Sequence, residues 1–523
     1  MSNQFPRPPD RPPERSRLIT PATATLMGVP GPFMLIGVLA LAGVHITWWM
    51  IALALFGTIA VLVSAIFQAI AEGKNNNNRS SLVADDAFGG FTTSAAGKRH
   101  TPIDPISWRQ ADPDAQPNVV IDPSIIGQKI LGFGAALTGS SCAVLNRMPT
   151  NDHLMIMDEL FRTDQMNLNV NRLSIGASDY STDLFSYCDG PADPQLTRFS
   201  VDKDRQDVLP VVSEAVALNG DMFLLASPWS PPAWMKPNGT MLGGAMGDKY
   251  FDAYAQYFVR YLQAYEKWGI SIDAITVQNE VDADQGNTMP SATWSKQLEA
   301  EFVKLHLGPA LRAAGCKTLI WIIDHNFDLE QRAIDSLSDA ELLKWIDGIA
   351  WHGYFGSADA VGRVHDAHPH SNHYFTEFNT FYNVPDYHTD WTHWGQVIGE
   401  AMRNWCRSYT MWNVALDEHG LPKIGPFDCG GVISIDSQTN EVVRSGGYWG
   451  LGHYSKAVRR GALRIDSRGD VADLTHVAFV NPDGGKVLVL SNKGADRTIT
   501  IDDGDRLANI ALEADSVTTL IWR

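Results

Sequence analysis

The chain reads as an α/β protein: a (β/α)8 TIM barrel followed by a small antiparallel β-sandwich, with an N-terminal transmembrane helix ahead of both. Three observations predict this. Between residues 131 and 414 short apolar runs alternate with helical periodicity, the pattern of parallel βαβ units that closes into a barrel at eight. After about residue 436 the apolar period changes, and THVAFV, KVLVLSN, RTITID and SVTTLIW alternate. From Phe33 to Ala71 no Asp, Glu, Lys or Arg occurs.

The elements follow in order. Residues 1–30 combine repeated prolines with Arg7, Arg11, Arg15 and Arg17. Such a segment buries too little apolar surface to offset its ordering entropy, and disorder is expected. Residues 31–72 are assigned to a membrane anchor. The stretch is too long for the apolar region of a secretory signal. Trp48 to Ile70 alone supplies the roughly 20 apolar residues that a span requires, with Trp48 and Trp49 placed as interface anchors. Either the part before Trp48 lies at the interface, or two spans form a hairpin around His45. The lack of turn residues near His45 favours one span. The N-terminal arginines favour a cytoplasmic N-terminus, which puts the rest of the chain outside the cytoplasm. Residues 73–117, with Asn75 to Asn78 in a row and Asp/Pro clusters, read as a linker.

The barrel is placed at 118–435. Its strands are expected near 131–138, 168–175, 221–227, 273–280, 318–324, 348–354, 373–378 and 408–414, with the clearest helices at 250–267 and 292–313. The sandwich is placed at 436–523, where THVAFV, the turn Asn481-Pro482-Asp483-Gly484-Gly485 and KVLVLSN form a hairpin. Asn118 to Lys129 is a candidate additional strand of the sandwich.

Bulk properties narrow the function. With 59 acidic against 41 basic residues the net charge is −18, which argues against a nucleic-acid partner. The five cysteines (Cys142, Cys188, Cys316, Cys406, Cys429) are scattered, show no metal-binding spacing and define no disulfide framework. The histidines between His365 and His373 lack supporting Cys or Glu spacing, so a solvated loop is favoured over a metal site. Gly132-Phe133-Gly134 has Leu137 where a dinucleotide loop needs its third glycine.

Two glutamates carry the chemistry. Glu280 closes the fourth apolar run and Glu377 lies in the seventh, each at the polar end where a barrel keeps its reactive groups. One carboxyl can protonate a leaving oxygen while the other attacks or stabilises an anomeric carbon. Asp324-His325-Asn326 ends the fifth run, where it either touches substrate or stabilises the barrel mouth.

Collinear motifs add to this reading. LGFGAALTGS, NRLSIGASDYS, LLASPWSPPAWMKPNG, TVQNE, WIIDHN, AWHGYFG, YFTEF, MWNVAL and NPDGGKVLVLSN resemble, in this order, glycoside hydrolase family 30, the glucosylceramidase family, over roughly residues 118–523. The resemblance implies retaining hydrolysis of a β-glycoside, glycolipid or β-glucan, without metal or organic cofactor. By position, Glu280 resembles the acid/base and Glu377 the nucleophile. Arg172 is implied to hold Glu377 ionised, Asp179 and Asn279 to bind sugar hydroxyls, and Trp229 and Trp412 to form subsite walls. His352 and Tyr354 match the strand-six motif, with Tyr354 a donor to a catalytic carboxylate. The acid is expected to have a raised pKa in the free site.

Two departures stand out. Val281 follows Glu280 where the family has proline, which implies a looser loop. Gly139 replaces an aspartate after the first strand, which bears on substrate preference. A β-1,6-glucanase, a β-xylosidase and a non-catalytic carbohydrate-binding barrel are the alternatives to a glucosylceramidase-like enzyme.

Overall fold

The computed structural model describes residues 87–111, 114–504 and 506–523. Eight parallel strands form the barrel: Gly132–Ala135, Val170–Ser174, Phe223–Ser227, Ala274–Thr276, Leu319–Asn326, Gly348–His352, His373–Glu377 and Cys406–Met411. The first and second strands close the ring. Leu137 N–H donates to Arg172 O at 2.8 Å, and Asn169 N–H donates to Phe133 O at 2.9 Å. Inside the ring Leu225, Ala274, Ala350, Trp321 and Tyr374 fill the lumen. The Trp321 and Tyr374 rings stack at 3.7 Å. This plug makes the ring a packed core with reactive groups only at one mouth.

Helices cover the barrel because each presents an apolar stripe. In Phe251–Glu266 the residues Phe251, Tyr254, Phe258, Tyr261, Leu262 and Tyr265 repeat at helical spacing and are all buried.

The sandwich begins earlier in the chain than the sequence reading places it. Ala87–Ser94, inside the expected linker, is a strand paired antiparallel with Ser516–Trp522, and Thr101–Pro102, Ile106–Ser107 and Arg109–Gln110 add short strands. The AFGGFTTS run escaped notice because glycine breaks its alternation. Gly90 lies against the backbone of Thr519, so closely that a Cβ there would stand 1.8 Å from Thr519 O. Val119–Lys129 pairs with Leu463–Arg468 and is a sandwich strand.

The later boundary shifts the other way. Residues 436–458 stay with the barrel: Gly446–Ser455 is a helix against Trp391–Arg403, with Tyr454 Oη–H donating to Gly395 O at 2.6 Å. The same two helices seat the sandwich. Ser491 Oγ–H donates to Thr392 O at 3.1 Å, and His453 Nδ1 lies 2.9 Å from Thr519 Oγ1.

Among the described residues no helix is long and apolar enough to cross a membrane. The tail expected over 1–30 and the anchor expected over 31–72 lie outside the described residues. All five cysteines are free thiols. The His365–His373 stretch is more ordered than a solvated loop. His365 lies in the last turn of the helix Asp359–Ala367 and stacks on Trp405 at 3.5 Å, and His373 is buried as the first residue of the seventh strand.

Candidate active site

Strand ends from two to seven deliver the site. Arg172, on the second strand, is fully buried. Its guanidinium pairs with Glu377 Oε2, donates to Asp324 Oδ2 at 2.7 Å and Asn279 Oδ1 at 2.8 Å, and reaches Ser227 Oγ at 3.1 Å. Burying this cation is tolerable because every side of it meets an acceptor. Trp229 and Trp412 cover it, their ring centroids 4.9 and 5.6 Å from the guanidinium carbon. The two indoles stack on each other at 5.1 Å and are only 2% exposed. They therefore pack over Arg172, at the mouth where the resemblance implies subsite walls.

Asp324 is the hub that sequence reasoning left undecided. Besides Arg172 it accepts from Ser227 Oγ at 2.9 Å, Thr276 Oγ1 at 2.7 Å, Thr376 Oγ1 at 2.7 Å and His352 Nε2 at 3.0 Å. Burial opposes its charge, but Arg172, His352 and the hydroxyls hold its carboxyl well below the usual range. The signal for it was the serine and threonine at the ends of strands three, four and seven, small donors facing one point.

One imidazole joins the two glutamates. Nδ1 of His352 stands 3.2 Å from Glu280 Oε1 and 3.9 Å from Glu377 Oε1. The two carboxylate oxygens can be no farther apart than these lengths laid end to end. That reach suits a single anomeric centre; retaining pairs stand about 5–5.5 Å apart. Tyr354 Oη–H donates to Glu377 Oε1 at 2.8 Å.

The electrostatics differ from the sequence expectation at the acid. Burial raises Glu280, but the hydrogen bond and charge of His352 outweigh it and hold Glu280 below the ordinary glutamate value. Burial disfavours the imidazolium, yet Glu377, Asp324 and Glu280 together push His352 up to about 9. The charge and hydrogen bond of His352 therefore favour the ionised form of Glu280. Glu377 is raised by burial, which outweighs His352 and Arg172.

The remaining candidates take defined places. Asp179 is buried and its Oδ1 has no hydrogen-bond partner. Burial and then the charges of Glu377 and Glu280 raise its pKa. An orphaned acceptor of this kind suits a hydroxyl brought by a ligand. Asn279 spends its carbonyl on Arg172, which leaves its amide N–H2 as the group for a ligand.

Backbone strain fixes the acid. Glu280 has φ +53°, and its N–H donates to Asp324 O at 2.8 Å. Ile323 and Asp324 have φ +75° and +47° at a bulge in the fifth strand. Such angles are costly for non-glycine residues and persist only where surroundings enforce them. Val281 does not loosen the loop as its replacement of proline implies: it is fully buried, and its carbonyl accepts from Trp294 N–H at 2.7 Å. At the other departure, Thr138 caps the helix Gly139–Arg147, its Oγ1 accepting from Ser141 N–H at 3.1 Å.

Lys236, which the sequence reading passed over, ties the loops after strands three and four. Its buried ammonium donates to Met241 O at 3.1 Å, Ser291 O at 2.6 Å and Gly243 O. Burial lowers its pKa to about 8.

A TIM barrel with one buried and one partly exposed carboxyl sharing an imidazole at the C-terminal mouth of its strands is built as a glycoside hydrolase. Residues 130–458 match the glycosyl hydrolase family 30 TIM-barrel domain, and residues 461–520 match the family's beta sandwich domain. The chain belongs to glycosyl hydrolase family 30. It is 32% identical to the endo-1,6-beta-D-glucanase of Neurospora crassa over 400 residues, 73% of this chain and 82% of that one. It is 27% identical to the lysosomal acid glucosylceramidase of Mus musculus over 428 residues, 77% of this chain and 83% of the relative. The solved endo-beta1,6-glucanase BT3312 superposes with a TM-score of 0.77 at 28% identity, covering 84% of this chain and all of that one.

Proposed function

We propose that the enzyme cleaves β-glucosides with retention, by double displacement. Glu377 attacks the anomeric carbon, and Glu280 protonates the leaving oxygen. Glu280 then takes a proton from water as the water releases the sugar from Glu377. The observation that carries this reading is His352 Nδ1 standing within 3.9 Å of both carboxylates. In this scheme His352 passes its proton to Glu280 when the leaving oxygen needs it, across their 3.2 Å contact. Arg172 and Tyr354 hold Glu377 in line. Asn279 bonds the sugar 2-hydroxyl, and Asp179 accepts from a further hydroxyl.

Glucose is the sugar common to the substrates named for the two kinds of relative, and the leaving group distinguishes them. We favour a glucosylceramidase-like activity at a bilayer, with the expected anchor over 31–72 holding the domains outside the cytoplasm. Protease treatment of intact cells that spares these domains contradicts that placement. A β-1,6-glucan is the second reading, supported by the likeness to the Neurospora glucanase and to the solved endo-beta1,6-glucanase BT3312. Turnover of glucosylceramide, β-1,6-glucan, and aryl β-glucosides and β-xylosides, compared side by side, separates these readings. Proton NMR of the first-formed sugar tests the chemistry: β-glucose is expected, and α-glucose refutes retention.

A further inference from the structure

We infer that Glu280, His325 and His352 form a binding site for a divalent transition-metal ion of the Zn2+ class, and that such an ion inhibits the enzyme by capturing the Glu280 carboxylate. One ligand atom from each of the three residues lies within 4.8 Å of the others. Glu280 Oε1 is 3.2 Å from His352 Nδ1 and 3.9 Å from His325 Nδ1. The two imidazoles are 6.3 Å apart with planes at 69°, so they approach the carboxylate from different sides. Metal bonds of 2.0–2.1 Å in a tetrahedron separate ligand atoms by about 3.4 Å. The pair His352–Glu280 already meets that spacing, and His325 closes on Glu280 from 3.9 Å and on His352 from within 4.8 Å.

The surroundings suit a metal ligand. The second nitrogen of His352 is backed by Asp324 Oδ1 at 3.0 Å, the carboxylate support that fixes the tautomer of a metal-binding histidine. Glu280, Glu377 and Asp324 gather three carboxyls around Arg172 and His352, so once His352 gives up its proton the site favours added positive charge. Two imidazoles and one carboxylate select Zn2+, Co2+ or Cu2+ over Mg2+ and Ca2+, which take more oxygen ligands. Two local contacts are given up: Asn326 Nδ2, 3.2 Å from His325 Nδ1, loses that acceptor, and His352 Nδ1 releases its proton, and with it the bond to Glu280, as the ion binds. An ion held here withdraws charge from the Glu280 carboxylate and takes the place of the His352 contact at Oε1, so Glu280 becomes a poorer proton carrier.

The inference uses the geometry of the site and is independent of the sugar and stereochemistry proposed above, so its test does not require turnover. Full-length protein is titrated with Co2+ while the visible ligand-field bands are followed, and Zn2+ is then added. The expected result is one tetrahedral Co2+ per chain, displaced by Zn2+, with affinity lowered about tenfold or more in His325→Ala and in Glu280→Gln. Zn2+ should also inhibit aryl β-glucoside hydrolysis competitively, with reversal by EDTA. Circular dichroism of both variants confirms that they are folded, and His325→Gln serves where His325→Ala is not. Co2+ affinity unchanged in the His325 and Glu280 variants overturns the inference. So does affinity lost instead in His368→Ala or His370→Ala, or Zn2+ inhibition that is not competitive.

Discussion

Arg172 has no exposed surface and Glu377 almost none, so each relies on buried partners for its charge, and each is a partner of the other. Replacing Glu377 with Gln keeps the shape and removes the nucleophile, and turnover of an aryl β-glucoside should fall to background. Glu280→Gln should behave differently. With a poor leaving group, kcat/KM should drop by about 10²–10⁴. With a dinitrophenyl leaving group, which needs no proton, the first step should survive, and added azide should restore turnover as β-glucosyl azide. Failure of azide to rescue this variant while rescuing Glu377→Gln would reverse the two roles.

His352 supplies a pH signature. Its folded pKa, about 9, lies above the ordinary value of 6.5, so its stabilisation is complete below about pH 6.5 and is lost as pH rises through 9. The full effect is on the order of 3 kcal/mol. The difference in melting temperature between the wild type and His352→Gln should narrow between about pH 6 and pH 9.5. A constant difference would mean that the imidazole is neutral throughout.

The two glutamates were legible because each ends an apolar run. Asp324 was not, because its donors come from strands two, three, four, six and seven and no local pattern joins them. The proton on His352 was illegible for the same reason: it depends on three carboxyls distant in sequence.

At the scale of elements, the strained turn at Ile323–Asp324 decides where the site residues stand. Glu299, on the helix Lys296–Phe302, holds it: its Oε1 accepts from Ile323 N–H at 3.0 Å, and its Oε2 pairs with Arg332 at 2.8 Å. Glu299→Ala leaves a strained amide and a half-buried guanidinium without that partner. A loss of about 3–5 kcal/mol is expected from denaturant unfolding, by analogy with breaking a buried pair, together with a fall in kcat from the displaced Asp324. Wild-type stability in this variant would show that the bulge holds itself. The eight barrel strands were readable from alternation with helices. The bulge was not, since WIIDHN reads as an ordinary strand and its positive φ angles come from the tertiary anchor.

At the scale of the described residues, the barrel and the sandwich share two helices. The strand Ala87–Ser94 completes the sandwich against Ser516–Trp522, so the domain depends on residues far upstream of the barrel. Gly90→Ala drives a methyl into Thr519 O and should cost well over 1 kcal/mol, since backbone on both sides must move. Calorimetry should show a lowered transition. An unchanged melting temperature would mean that this pairing contributes little. The period change after residue 436 revealed the sandwich, but glycine and short strands hid its upstream part.

The account stands on Glu377 forming a bond to the sugar. Incubation with a 2-deoxy-2-fluoro-β-glucoside, followed by peptide mass spectrometry, measures this directly. The predicted result is one fluoroglucosyl group per chain on the peptide containing Glu377, with inactivation in step. A label on Glu280, or inactivation without any covalent adduct, would contradict it.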